Sequence, residues 1–122
     1  MAKYPAIQKR AQLEIQNSIG DRTPTSADRQ NLKLIEAIIC EIFRVSAFVQ
    51  FAVSRAIRAT TLKGYTIPKD SIVFLNMYGL HRDPTIWKDP EHFHLENFFD
   101  EATSSLINTE YLIPFSIGIF TK

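Results

Sequence analysis

From Pro5 to Ile19, apolar residues recur once per turn, at Ile7, Ala11, Ile15 and Ile19. Pro5 stands in the first turn and Gly20 is placed to end the segment, so an amphipathic helix is expected within residues 1–20. The polar, turn-rich stretch from Gly20 to Ser26 reads as a loop. Thr25, followed three residues later by Asp28, offers an N-terminal capping arrangement for a second helix over 25–45. Leu32, Leu34, Ile35, Ala37, Ile38, Ile39, Ile42 and Phe43 occupy nearly every side of that helix, which predicts burial all round. Within this apolar surface sit Glu41 and Arg44, neighbours on one helical face, where charges withdrawn from water demand partners.

Beyond the second helix the period shortens. Phe48 to Ala52, Ile57 to Leu62 and Ile72 to Leu75 read as short strands within 48–76, with Gly64 and Pro68-Lys69-Asp70 supplying the turns. Met77 to Arg82 has the makings of one helical turn before Asp83-Pro84. From Trp87 onward, prolines and aromatics without periodicity predict a packed, irregular meander, the whole of 77–118 leading to a short tail at 119–122. The fold class expected is mainly α with a small β-sheet region (α+β), over one partial domain.

Composition narrows the function classes more than it names one. The 122 residues are 45% apolar and 22% charged, which suits a single core. Fourteen basic and 13 acidic residues are spread along the chain, so the net charge of +1 leaves no footprint for a nucleic acid. Trp87, Phe93, Phe98 and Phe99 therefore read as packing residues and not as a nucleobase platform. Cys40, the single cysteine, forms no internal disulfide, fits a reduced compartment and is expected to be inert packing. No apolar stretch is long enough to span a bilayer, and Met1-Ala2-Lys3-Tyr4-Pro5 carries no apolar signal core. His92 and His94 alternate as metal ligands on a strand do, with His81 upstream, but no further ligands complete a set and no metal site is assigned.

A series of motifs, ordered over almost the whole chain, carries more information. Lys3-Tyr4-Pro5-Ala6-Ile7-Gln8-Lys9-Arg10 is followed by Glu14-Ile15 and Ile19-Gly20, and then by Glu36-Ala37-Ile38-Ile39-Cys40-Glu41-Ile42-Phe43-Arg44. Next come Gly64-Tyr65-Thr66-Ile67-Pro68-Lys69-Asp70, His81-Arg82-Asp83-Pro84, and Trp87-Lys88-Asp89-Pro90-Glu91-His92-Phe93. Leu95-Glu96-Asn97-Phe98 and Ile113-Pro114-Phe115-Ser116-Ile117-Gly118 close the series. Together they resemble the C-terminal portion of the microsomal, drug- and steroid-metabolising cytochromes P-450. Glu41 and Arg44 match the family's Glu-x-x-Arg helix, Leu95 to Phe98 its Pro-Glu-Arg-Phe segment, and Ile113 to Gly118 the opening of its cysteine loop. There the likeness stops: the family continues as x-Arg-x-Cys, whereas this sequence reads Ile119-Phe120-Thr121-Lys122, with Lys122 where the iron-binding cysteine belongs.

The resemblance implies a piece of the cytochrome P-450 fold. In the family a cysteine thiolate holds haem iron, and one oxygen atom of O2 is inserted into a small lipophilic substrate with electrons from an NADPH-dependent reductase. It implies endoplasmic reticulum membrane, cytosolic face, for a complete member, and haem there but none held by this chain. The isolated chain is expected to be inactive, with no catalytic residue of its own. Glu41, Arg44 and Asn97 are implied to form a structural network, in which the Asn97 amide can accept from Arg44 and donate to Glu41; lacking charge, it should make the lock weaker or differently arranged than a charged third member would. Arg55, Phe115 and Gly118 are implied to approach the haem, although the family's cation aligns with Ser54, so that Arg55 would serve only through a slipped register. Val49 and Ala52 fall where the family lines its substrate pocket. The alternative to an oxidoreductase fragment is a non-catalytic remnant acting as an interaction module.

Overall fold

A computed structural model describes residues 2–115. Helix α1 spans Pro5–Ser18, with the proline in its first turn, and ends through Ile19 into Gly20, whose φ of +63° is one that glycine adopts without strain. A 3₁₀ turn, Ser26–Asn31, precedes helix α2, Lys33–Ser46. Strand β1 (Phe51–Arg55) pairs antiparallel with β4 (Ile72–Asn76), and between them lies a hairpin of β2 (Thr60–Leu62) and β3 (Tyr65–Ile67). Its two-residue turn places Lys63 and Gly64 at φ +47° and +85°, as a right-handed ribbon requires. Helix α3 is one turn, Met77–Leu80; a 3₁₀ turn at Leu95–Asn97, the small pair β5 (Phe99–Asp100) and β6 (Ser105–Leu106), and a last 3₁₀ turn at Thr109–Tyr111 complete the meander. This is the mainly α, α+β architecture that the sequence pattern predicts.

The second helix differs from its expected span. Asp28 does close a capping box, taking the Thr25 amide at 2.7 Å and the Thr25 hydroxyl at 3.0 Å, but what it caps is the 3₁₀ turn. Leu32, at φ −106° and ψ +56°, then turns the backbone out of helical geometry. In a continuous helix the amides of Leu34 and Ile35 would bond to the carbonyls of Gln30 and Asn31. Here they donate to the Glu14 carboxylate of α1, at 2.9 Å each. Glu14 thus caps α2 from a neighbouring helix, where a negative group also complements the helix dipole. The strands shift as well: β1 begins at Phe51, not Phe48, because its ladder is fixed by β4, pairing Val53 with Phe74 and Arg55 with Ile72.

The expectation that α2 is buried all round is corrected too. Leu34, Ala37, Ile38, Glu41 and Arg44 form one buried stripe at helical spacing, while Ile39 and Ile42 on the far side remain about half exposed. The buried stripe meets Ala11 of α1 and Trp87, Leu95, Phe98 and Phe99 of the meander, with the Trp87 and Phe98 rings 5.0 Å apart. The core therefore sits between two helices and the meander, and the β1–β4 pair stands outside it. Among the described residues, no helix is long and apolar enough to cross a membrane.

Candidate functional site

The stripe of α2 that meets the core carries two charges at its C-terminal end. Glu41 and Arg44 are wholly shielded from solvent, and such groups are tolerated only when every donor and lone pair is answered. The guanidinium grips the carboxylate in a fork, Nε to Oε2 at 2.7 Å and Nη2 to Oε1 at 2.8 Å. Its remaining N–H groups reach backbone carbonyls: Nη1 donates to His81 at 2.8 Å and Pro90 at 2.7 Å, and Nη2 to His92 at 2.9 Å. All five donors that an arginine owns are thereby used. Glu41 Oε1 also accepts the amide of His94 at 2.7 Å and Asn97 Nδ2 at 3.2 Å. The Arg44 guanidinium lies 5.5 Å from the centre of the Trp87 ring.

Every charge in this arrangement is spent on holding the helix to the meander. One arginine ties α2 to three points of the meander, at residues 81, 90 and 92, while its carboxylate ties the helix to residues 94 and 97. The structure brings together Glu41, Arg44 and Asn97, but in a different pattern from the one expected. Asn97 accepts nothing from Arg44; its Oδ1 takes the Lys88 amide at 2.9 Å, which also fixes which end of the amide is oxygen. Its Nδ2 divides between Glu41 and the Lys88 carbonyl, at 3.2 and 3.3 Å. The place expected for Asn97 against Arg44 is taken by backbone carbonyls, which a reading of side chains has no signal for.

The other anticipated residues do not join this cluster. Arg55 is exposed at the end of β1, and strand alternation sets it with Phe51 and Val53 on the face opposite Ala52 and Ser54. Val49 is half-buried just ahead of β1, and Ala52 half-buried within it. Phe115 is 61% exposed and packs edge-on against Phe43 of α2, with ring centres 5.6 Å apart. Gly118 lies outside the described residues. His92 and His94 are held by one carboxylate, Asp89, at 2.9 and 3.1 Å, which raises the His92 pKa and lowers that of Asp89. Among the described residues, no three His, Cys, Asp or Glu side chains are grouped to hold a metal ion. Cys40 lines an open groove of about 590 Å³ with Ile35, Glu36, Ile39, Phe43, Leu112 and Pro114. Burial first, and then the Glu36 charge, pushes its thiol up.

The buried Glu41–Arg44 pair is the Glu-x-x-Arg motif of the resemblance in its folded setting, and a family model described as Cytochrome P450 matches residues 1–119. The chain belongs to the cytochrome P450 family. Among individual proteins it is similar to the Cytochrome P450 1A1 of Chelon auratus, 39% identical over 97% of this chain and 23% of the relative. The Cytochrome P450 1A1 of Microgadus tomcod is 41% identical over 97% of the chain and 24% of the relative, and that of Chaetodon capistratus 43% identical over 80% and 19%. These relatives agree with the microsomal-type branch that the motif series resembles. The chain spans about a quarter of the length of the curated relatives it matches.

Proposed function

We propose that these residues are the clamp-bearing part of a haem-thiolate monooxygenase, which inserts one oxygen atom of O2 into a small lipophilic substrate with electrons delivered by an NADPH-dependent reductase. The observation that carries this reading is the Arg44 clamp itself: two of its donors hold Glu41, and the other three fix the meander that leads toward the cysteine-loop motif. When bound, haem supplies the oxygen-activating chemistry; the role of this chain is to hold the approach to it still. By the same family reading, the whole protein acts at the cytosolic face of the endoplasmic reticulum membrane.

The described residues do not by themselves fit an iron site. A thiolate ligand must lose its proton, and Cys40 sits half-buried on α2 where burial favours the neutral thiol. The His81 ring is buried and its Nε2 accepts the Ile113 amide, while His92 and His94 are occupied by Asp89. We therefore propose that the 122 residues on their own are inactive as an oxygenase. A carbon monoxide difference spectrum of the haem-supplemented chain is expected to lack a thiolate-type Soret band, and its presence would overturn that part. The same spectrum on a longer polypeptide containing these residues is expected to show the band; a longer polypeptide that binds haem without it would refute the monooxygenase reading.

A further inference from the structure

His81 joins the clamp to the last described segment in a way the family reading leaves unassigned. Its carbonyl takes a hydrogen bond from Arg44 Nη1 at 2.8 Å, while its ring, 1% exposed, accepts the Ile113 amide on Nε2 at 3.3 Å. An accepting Nε2 places the ring proton on Nδ1, and that buried nitrogen has no partner among the described residues. The ring therefore works only as a neutral acceptor. A second proton would set an Nε2–H head-on against the Ile113 N–H and add a buried cation beside two others.

We propose that His81 is a positioning residue: its uncharged ring holds the Ile113–Phe115 segment on the Arg44 clamp, and gaining a proton releases that segment. The charged groups that face it are Arg44 from α2, with Glu41 bound to it, and Arg82 at the start of the meander, with Glu91 bound to it. The segment it holds brings the Ile113 amide, and Glu110 and Tyr111 just ahead of it are exposed. Burial, followed by the Arg44 and Arg82 charges, lowers the His81 pKa below its ordinary 6.5. Release of the segment uncovers the ring, which then takes up a proton more readily than when docked, so docking is favoured toward higher pH and weakens as pH falls below the ordinary histidine range. The inference rests on the proposed function only for what the segment leads to.

The test is hydrogen exchange of the Ile113 amide in the full chain without haem, so its failure is distinct from failure of the monooxygenase reading. Corrected for intrinsic rates, protection should fall by up to about tenfold for each pH unit below 6.5. Over the same range, the amide of Ile38 in α2 should stay protected. In His81→Gln, whose Oε1 replaces the Nε2 acceptor without titrating, protection should persist and its pH dependence vanish. An unprotected Ile113 amide near neutral pH, or the same pH dependence in His81→Gln, would overturn the proposal. If that variant does not fold, nitrogen NMR of the unaltered chain decides: Nδ1–H and titration below 6.5 support it, and Nε2–H or titration at 6.5 or above defeats it.

Discussion

At the centre of the molecule a guanidinium and a carboxylate are withdrawn from water entirely, while at its edge Phe51, Val53, Ile72 and Phe74 share one face of the β1–β4 pair and each lies more than half exposed. The usual placement of polar and apolar groups is reversed in both regions. The clamp tolerates the reversal because each donor of Arg44 finds an acceptor within 2.9 Å, so the cost of desolvation is met inside the chain. The sheet has no such compensation. Four large apolar side chains in adjacent cross-strand pairs make a contiguous patch of the kind that interfaces are built from. The difference teaches which region is internally complete and which is not: α1, α2 and the meander close around their own core, whereas the sheet and the Ile39–Ile42 side of α2 leave apolar surface in water.

Substitutions can break this contrast, and the largest effect is expected at the clamp. Arg44→Met leaves Glu41 buried without its counter-charge and three carbonyls without donors, and should cost about 3–5 kcal/mol in urea unfolding. Asn97→Ala removes one donor from Glu41 and strands the Lys88 amide, for a loss of about 1–3 kcal/mol by the same measurement. Glu14→Ala, which uncaps α2 from a distance, should cost about 1 kcal/mol and show as weaker amide protection at Leu34 and Ile35 before the rest of the helix. Smallest of all, Phe74→Ser on the open sheet face should shift stability by no more than about 0.5 kcal/mol, yet lower dye binding to exposed apolar surface and raise solubility. A Phe74→Ser variant as damaged as Arg44→Met would erase the distinction between the two regions.

Much of this is legible in the sequence. The one-per-turn spacing from Pro5 predicts α1, and charges inside an apolar helix single out Glu41 and Arg44, because burial without partners is too costly to be accidental. The order of motifs brings Asn97 to the same place. What stayed hidden depends on tertiary contact. The break at Leu32 is invisible locally, since Thr25 and Asp28 look the same whether they cap a long helix or one 3₁₀ turn. Glu14 did leave a trace: it lies three residues after the buried Ala11 and so on the face that α1 turns inward. The carbonyls of His81, Pro90 and His92 leave none, because backbone acceptors are common to every residue. β1 starts three residues after Phe48 because the ladder to β4, and not the apolar run, decides where the strand lies.

The central claim is that Glu41 and Arg44 act as one unit. A double-mutant cycle of Glu41→Met and Arg44→Met, read by urea unfolding, tests it directly. The account predicts that the double variant loses less stability than the two single losses summed, by about 1.5 kcal/mol or more, because removing both charges leaves no isolated ion in the core. Losses that add to within about 0.5 kcal/mol would mean that the two side chains act independently, contrary to the claim.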